Sequence, residues 1–254
     1  MSKQTSEECL SKKCREHKQE FTPCIGFEEK TDLTTLNNYL SHRFKIPDIQ
    51  LIYNEKNYYS YENYIMYMQN FKKFLDDNGD KKISTKFEID GVTVNGRGWK
   101  VYLSEQPSSV FLKNFIEEKN GVKAFKVKHF HRSLTIHRGH LLANSFDKYL
   151  VPKGNEKDSK VTAFFGKGNI DNINYQTKEA NCSEEKYYGQ LHFEQKILNF
   201  FTRKSKRLTA SDKRIIYLVE EIFKEGKSLG RLLLSYGEDP DIQFFVFIPN
   251  IFPK

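Results

Sequence analysis

The run Thr135-Ile136-His137-Arg138-Gly139-His140-Leu141, followed by Asn172-Ile173-Asn174-Tyr175-Gln176, Asn181 and Glu194, holds the residue types from which a hydrolytic site can be built. An imidazole such as that of His140 titrates near neutrality and can act as a general base, and the glycine before it reads as a hinge that aims the ring. Asn172, Asn181 and Glu194 offer neutral and anionic oxygens, the donors suited to Mg2+, which keeps most of its waters when it binds protein. The chemistry implied is attack by an activated water beside a hard cation. Arg-Gly-His alone is a weak motif, and asparagines are common in turns. The reading rests on order, spacing and residue type agreeing across five positions.

Arg138-Gly139-His140-Leu141, the Asn172 to Asn181 spacing with Gln176 inside it, and the Phe193-Glu194 pair on a following helix resemble the DNA/RNA non-specific endonucleases, which have a ββα-metal, or His-Me finger, core. Within that family the Gram-positive secreted and cell-surface DNases look closest, because their gap between metal asparagine and glutamate is similarly long. The likeness runs roughly from residue 85 to residue 250. It implies hydrolysis of phosphodiester bonds in DNA, or in RNA, with little sequence preference, 5′-phosphate products, and Mg2+ as cofactor with Mn2+ able to substitute. By the same resemblance, neutral His140 takes a proton from the attacking water and Asn181 holds the metal directly. Glu194 fixes a metal-bound water, Asn172 and Gln176 support the geometry, and Arg138, with Arg97, stabilises the phosphate or the departing product. Family members usually begin the motif with Asp; this chain has His137 there, and an imidazole replaces a hydrogen bond but not a fixed negative charge.

The elements that must position these residues are legible from periodicity. The expected fold is α+β, a central antiparallel sheet carrying the ββα-metal element on one side. Residues 1–80 read as a helical amino-terminal extension of unassigned role, and residues 81–254 as the endonuclease domain. In the extension, Ser6 caps one helix; Asp32 caps a second that carries Leu33, Leu36 and Leu40 on one face and stops before Pro47; Tyr58 to Leu75 is a third. The aromatic residues of that third segment have the spacing of a buried face. Asp76 to Asp80 departs from a calcium loop at Lys81 and Phe87 and reads as a turn. Phe87, Ile89, Val92 and Val94 flank Asp90-Gly91 as a hairpin. Lys123 to Arg132 alternates, setting Phe125 and Val127 opposite Lys126 and Lys128; with Arg132 this basic face is the expected track for a phosphate backbone. An unbroken helix from Asn181 to Glu194 would turn the two apart at 3.6 residues per turn, so a break near Tyr187 to Gly189 is required. Ile215 to Phe223, Arg231 to Ser235 and Gln243 to Ile248 are expected strands that complete the sheet.

Composition sets the outer bounds. The 254 residues, 38% hydrophobic and 14% aromatic, suffice for a sizeable core, and the net charge of +8 favours a polyanionic partner through counterion release. Cysteines at 9, 14, 24 and 182 do not form a disulfide framework. The first three, with His17, leave a small zinc site, a disulfide to Cys24 and reduced thiols all open. Met1 to Gln19 lacks the apolar core of a secretory signal, and no run reaches the length of a membrane span, so no membrane partner is expected. Location is left open, because the resemblance implies export. Two other readings share the scaffold: a nuclease toxin held by an inhibitor or immunity protein, and a nucleic-acid-binding module without turnover. Lys204 and Lys206 with Arg203 and Arg207 form a second basic cluster, which also reads as a set of helix-end cations.

Overall fold

Alternating apolar residues build one antiparallel sheet whose two faces are both covered. In the computed structural model, which describes residues 25–67, 69–72, 79–117, 136–166, 169–203 and 213–251, the chain opens with α1 (Glu29–Phe44), β1 (Ile52–Asn54), β2 (Tyr58–Ser60), β3 (Lys81–Ile89) and β4 (Val92–Ser104). It continues through β5 (Ile136–His140), α2 (Asp147–Leu150), α3 (Ser159–Phe165), β6 (Ile173–Thr177), α4 (Lys178–Asn181), β7 (Ser183–Glu184), β8 (Tyr187–Tyr188) and α5 (Gln190–Thr202). β9 (Arg214–Lys224), β10 (Lys227–Gly237) and β11 (Phe244–Pro249) close it. Seven of the described strands form the main sheet in the order β1-β2-β11-β10-β9-β4-β3, and β5 pairs with β6 separately. The amino-terminal cysteines, the Lys126, Lys128 and Arg132 strand, Asp76 to Asn78 and Lys204 to Arg207 lie outside the described residues.

Strand parity decides which core each residue joins. Trp99, Val101, Leu103, Tyr217, Val219, Leu233 and Val246 face β5, β6 and α5. Val94, Leu218, Leu232, Leu234, Phe245 and Phe247 face α1. Side chains on a strand alternate between faces, so the consecutive pair Glu220 and Glu221, both fully buried, is split between the two. Glu220 accepts from Tyr39, Thr85 and Arg43 on the α1 side. Burial, and then the neighbouring Glu220 charge, holds the Tyr39 phenol far above its ordinary range. On the other side Glu221 accepts from Arg97, Asn174 and Ser228.

The β3–β4 hairpin forms as expected. Asp90 and Gly91 take positive φ angles of 51° and 77°, the pair that a tight turn between twisted strands needs. The amino-terminal extension differs from expectation. Residues 58–60 form a strand rather than a helix, and β2 pairs with β11 through Ser60 and Val246 and through Tyr59 and Phe247. Tyr59 is buried against Phe27 and Phe247, which anchors this segment to the edge of the sheet. Tyr61, Tyr64 and Phe71 do pack on Phe245 as core. α1 starts three residues before Asp32. The Asp32 carboxylate reaches back to the Glu28 amide at 2.8 Å and pairs with Lys224 at 2.9 Å, so it satisfies the helix start from within the first turn.

At Gly98 the packing of β4 beside β9 leaves no room for a side chain. A methyl group there would overlap the Val219 carbonyl oxygen and lie 2.9 Å from the Glu220 Cα, neither of which can rotate away. Gly98→Ala is therefore expected to lower unfolding stability by about 1–3 kcal/mol or more, as overpacking against backbone does, measured by urea denaturation.

Candidate functional site

Five residue pairs hold β5 against β6, with His137 opposite Gln176, Gly139 opposite Asn174 and His140 opposite Ile173. Just past the strand end, Asn172 works as a clamp. Its Oδ1 accepts from the Leu142 amide at 2.8 Å, its Nδ2 donates to the Leu142 carbonyl at 3.0 Å, and its own carbonyl accepts from the Leu141 amide at 2.7 Å. Three hydrogen bonds from one fully buried residue fix the turn that follows His140.

The His140 ring is fixed from a third direction, its Nε2 lying 2.7 Å from the Phe165 carbonyl oxygen at the end of α3. A carbonyl only accepts, so Nε2 carries the hydrogen, and in neutral imidazole the basic lone pair is then on Nδ1.

Gly139 is not a hinge. It lies within β5, paired to Asn174, and its missing side chain is what matters. A Cβ there would overlap Gln176 Oε1 and come within 2.7 Å of Asn181 Oδ1. Two carboxamide oxygens therefore press against the backbone immediately before His140. Gln176 Oε1 is buried without a hydrogen-bond partner. Asn181 ends the short helix α4, and its Nδ2 lies 3.2 Å from His137 Nδ1. The expected break before Glu194 is present as the β7–β8 hairpin and Gly189, whose amide donates to the Cys182 carbonyl at 2.8 Å. A Cβ on Gly189 would overlap that same carbonyl.

Glu194 lies on the buried face of α5 and accepts from Gln190 Nε2 at 2.6 Å. Burial pushes its carboxyl up to about 8, against the lowering effects of Gln190 and Arg231. Gln190 and Arg231 were not legible as site residues. Arg231, on β10 and fully buried, donates to the His140 carbonyl at 2.6 Å, the Gly139 carbonyl at 3.0 Å and Gln190 Oε1 at 2.6 Å. Gln190 Nε2 also donates to the carbonyls of His140 and Leu141. A charge inside an apolar run, at Arg231 and again at Glu220-Glu221, and a glutamine one helical turn before Glu194 are the signals that point to them.

The arginines expected to meet phosphate occupy different surroundings. Arg138 is exposed on β5 opposite Tyr175. Arg97 lies on β4 rather than in a turn, paired with Glu221 at 3.2 Å, with Nη1 3.3 Å from the Ile170 carbonyl oxygen. Among the described residues no three His, Cys, Asp or Glu side chains gather as a metal-binding group. The donors around Gly139 are amide oxygens.

No family model matches this sequence, and no curated protein matches it. Among solved structures the chain is similar to NucA from Streptococcus agalactiae with magnesium ion bound. The identity is 17%, the match covers 85% of this chain and 88% of that one, and the TM-score is 0.44. A likeness at that level fixes neither family nor activity.

Two outcomes follow from the buried charges. Arg231→Ala leaves two main-chain carbonyls, Gln190 and the nearby Glu221 carboxylate without their cation, and is expected to lower stability by about 3–5 kcal/mol in denaturant unfolding. For Glu194, a folded-state pKa raised from 4.5 to about 8 means that the folded protein keeps a proton the unfolded chain has released. Its contribution to stability is full below the ordinary carboxylate pKa and is lost as pH rises towards 8, with a limiting slope of about 1.4 kcal/mol per pH unit. In metal-free protein, Glu194→Gln is expected to remove that decline, so the variant gains on the wild type between pH 5 and pH 8.

Proposed function

We propose that this chain is a metal-dependent, largely sequence-non-specific endonuclease that hydrolyses phosphodiester bonds of DNA, or of RNA, with His140 as general base. The observation that carries the reading is the gap over Gly139. There the Asn181 carboxamide oxygen and the unpartnered Gln176 Oε1 come against the backbone of the residue before His140, whose ring is fixed through its Nε2. Hard, neutral oxygens of this kind fit Mg2+, which takes few protein ligands and keeps its waters. Asn181 would hold the ion and Glu194 would hold one of its waters. When bound, the ion supplies positive charge to the scissile phosphate and the departing oxygen.

The protein's own residues supply the rest. His140, with its hydrogen on Nε2, takes the proton of the attacking water at Nδ1, and the Phe165 carbonyl stabilises the imidazolium that forms. Asn172 and Arg231 hold the main chain on either side of that ring, so the nitrogen is aimed before substrate arrives. Arg138, exposed on β5, is available to a phosphate, and Arg97 reaches one by exchanging its contact with the Ile170 carbonyl. The net charge of +8 strengthens binding to a polyanion, and with no base-reading element the grip is on the backbone. The strand, strand and helix of β5, β6 and α5 fit the ββα-metal arrangement that the motif resembles.

Purified protein with Mg2+ is expected to cut plasmid, single-stranded DNA or RNA. His140→Ala should lose about 100-fold or more in cleavage rate, the usual loss with a general base, while keeping its affinity for DNA. Absence of cleavage by the wild type on all three substrates overturns the proposal. Equal cleavage by the variant removes His140 from the role.

A further inference from the structure

The face of β5 that carries Gly139 also carries His137, two positions earlier, and there it meets a thiol. Cys182 Sγ and His137 Nδ1 are 3.4 Å apart, both on half-buried residues. Asn181 Nδ2 lies 3.2 Å from that nitrogen and 3.7 Å from that sulfur, so the imidazole nitrogen and the sulfur converge on one amide NH2 group. Two donors converging on one positive point are arranged as they would be around a cation. Bonds of the Zn–S and Zn–N type meeting at the tetrahedral angle set sulfur and nitrogen about 3.6 Å apart, close to the spacing found. A further oxygen donor lies on the same face of the β5–β6 pair. Gln176, the direct register partner of His137, turns a fully buried oxygen with no hydrogen-bond donor towards the Gly139 gap, beside Asn181 Oδ1.

We propose that His137 and Cys182 form a binding site for a thiophilic divalent cation of the Zn2+ class, completed by a carboxamide oxygen of Asn181 or Gln176 and by water. Sulfur and imidazole favour such ions and disfavour Mg2+, so the site differs in selectivity from the oxygen donors over Gly139. As the metal–sulfur bond forms, the thiol proton passes to solvent, and binding strengthens as pH rises. Asn181, whose amide N–H now fills the converging point, must rotate its oxygen towards the ion or withdraw. Either movement takes that oxygen away from Gly139. Occupancy of this site therefore antagonises Mg2+ at Asn181, a consequence that rests on the proposed function, whereas the binding itself does not.

The test is titration of the reduced full chain with Co2+, whose bond to a thiolate absorbs in the near ultraviolet, followed by displacement with Zn2+. The wild type is expected to show a thiolate band that Cys182→Ser lacks, and His137→Gln to weaken Co2+ affinity by about tenfold or more, at least the loss seen when a metal's supporting residue is removed. Circular dichroism checks that both variants are folded. A band of equal strength in Cys182→Ser, which assigns it to the thiols at 9, 14 and 24, overturns the proposal, as does unchanged affinity in His137→Gln or no band in the wild type. If the wild type cuts DNA, Zn2+ should inhibit it and should spare Cys182→Ser. If it does not cut at all, the endonuclease reading fails while the Co2+ result still decides the site.

Discussion

A single buried guanidinium sets the terms for the rest of the molecule. Arg231 sits in the middle of β10 with no exposed surface, where an unpaired charge would be prohibitively costly. Burial lowers its pKa to about 10, still far above neutrality, so the charge persists. Its planar fork is met by the Gly139 and His140 carbonyls and by Gln190, with Glu221 near enough to offset the charge. β5 has no hydrogen-bonded place in the main sheet. Arg231 ties the end of β5 to that sheet, and Gln190 extends the tie to α5.

The two faces of the sheet use the same device for different ends. On the α1 side, the absence of a side chain at Gly96 leaves room for Glu220, Tyr39 and Thr85 to meet, and large apolar residues seal that polar group from solvent. On the opposite side, Gly139 leaves room for Gln176 and Asn181 beside the half-buried imidazole of His137. In both places a glycine admits oxygen atoms where any other residue would exclude them. The first arrangement closes a core. The second leaves two amide oxygens against the backbone of the residue before His140, whose tautomer is fixed by a backbone carbonyl.

Much of this was legible in the sequence because it is local. The Asp90-Gly91 hairpin, the carboxy-terminal strands and the break before α5 follow from turn residues, alternation and helical geometry acting within a few positions. Tyr58 to Ser60 was misread because closely spaced aromatic residues fit a helix face as readily as a strand, and the partner that decides, β11, lies almost two hundred residues away. Arg231, Gln190 and Glu221 were hidden for the same reason. Most of their partners lie far along the chain, and the marks they left were charge within apolar runs and, for Gln190, a place one turn before Glu194. Gly139 was noticed but given the wrong role, since crowding by Gln176 and Asn181 is a property of the folded chain.

The most direct measurement is the location of Mn2+ by anomalous scattering in crystals of the wild-type protein. A peak within bonding distance of Asn181 Oδ1, on the side of Gly139 from which His140 is reached, is the expected result. A peak elsewhere with Asn181 Oδ1 bare, or an His140 ring turned away from the ion and released from the Phe165 carbonyl, would contradict it.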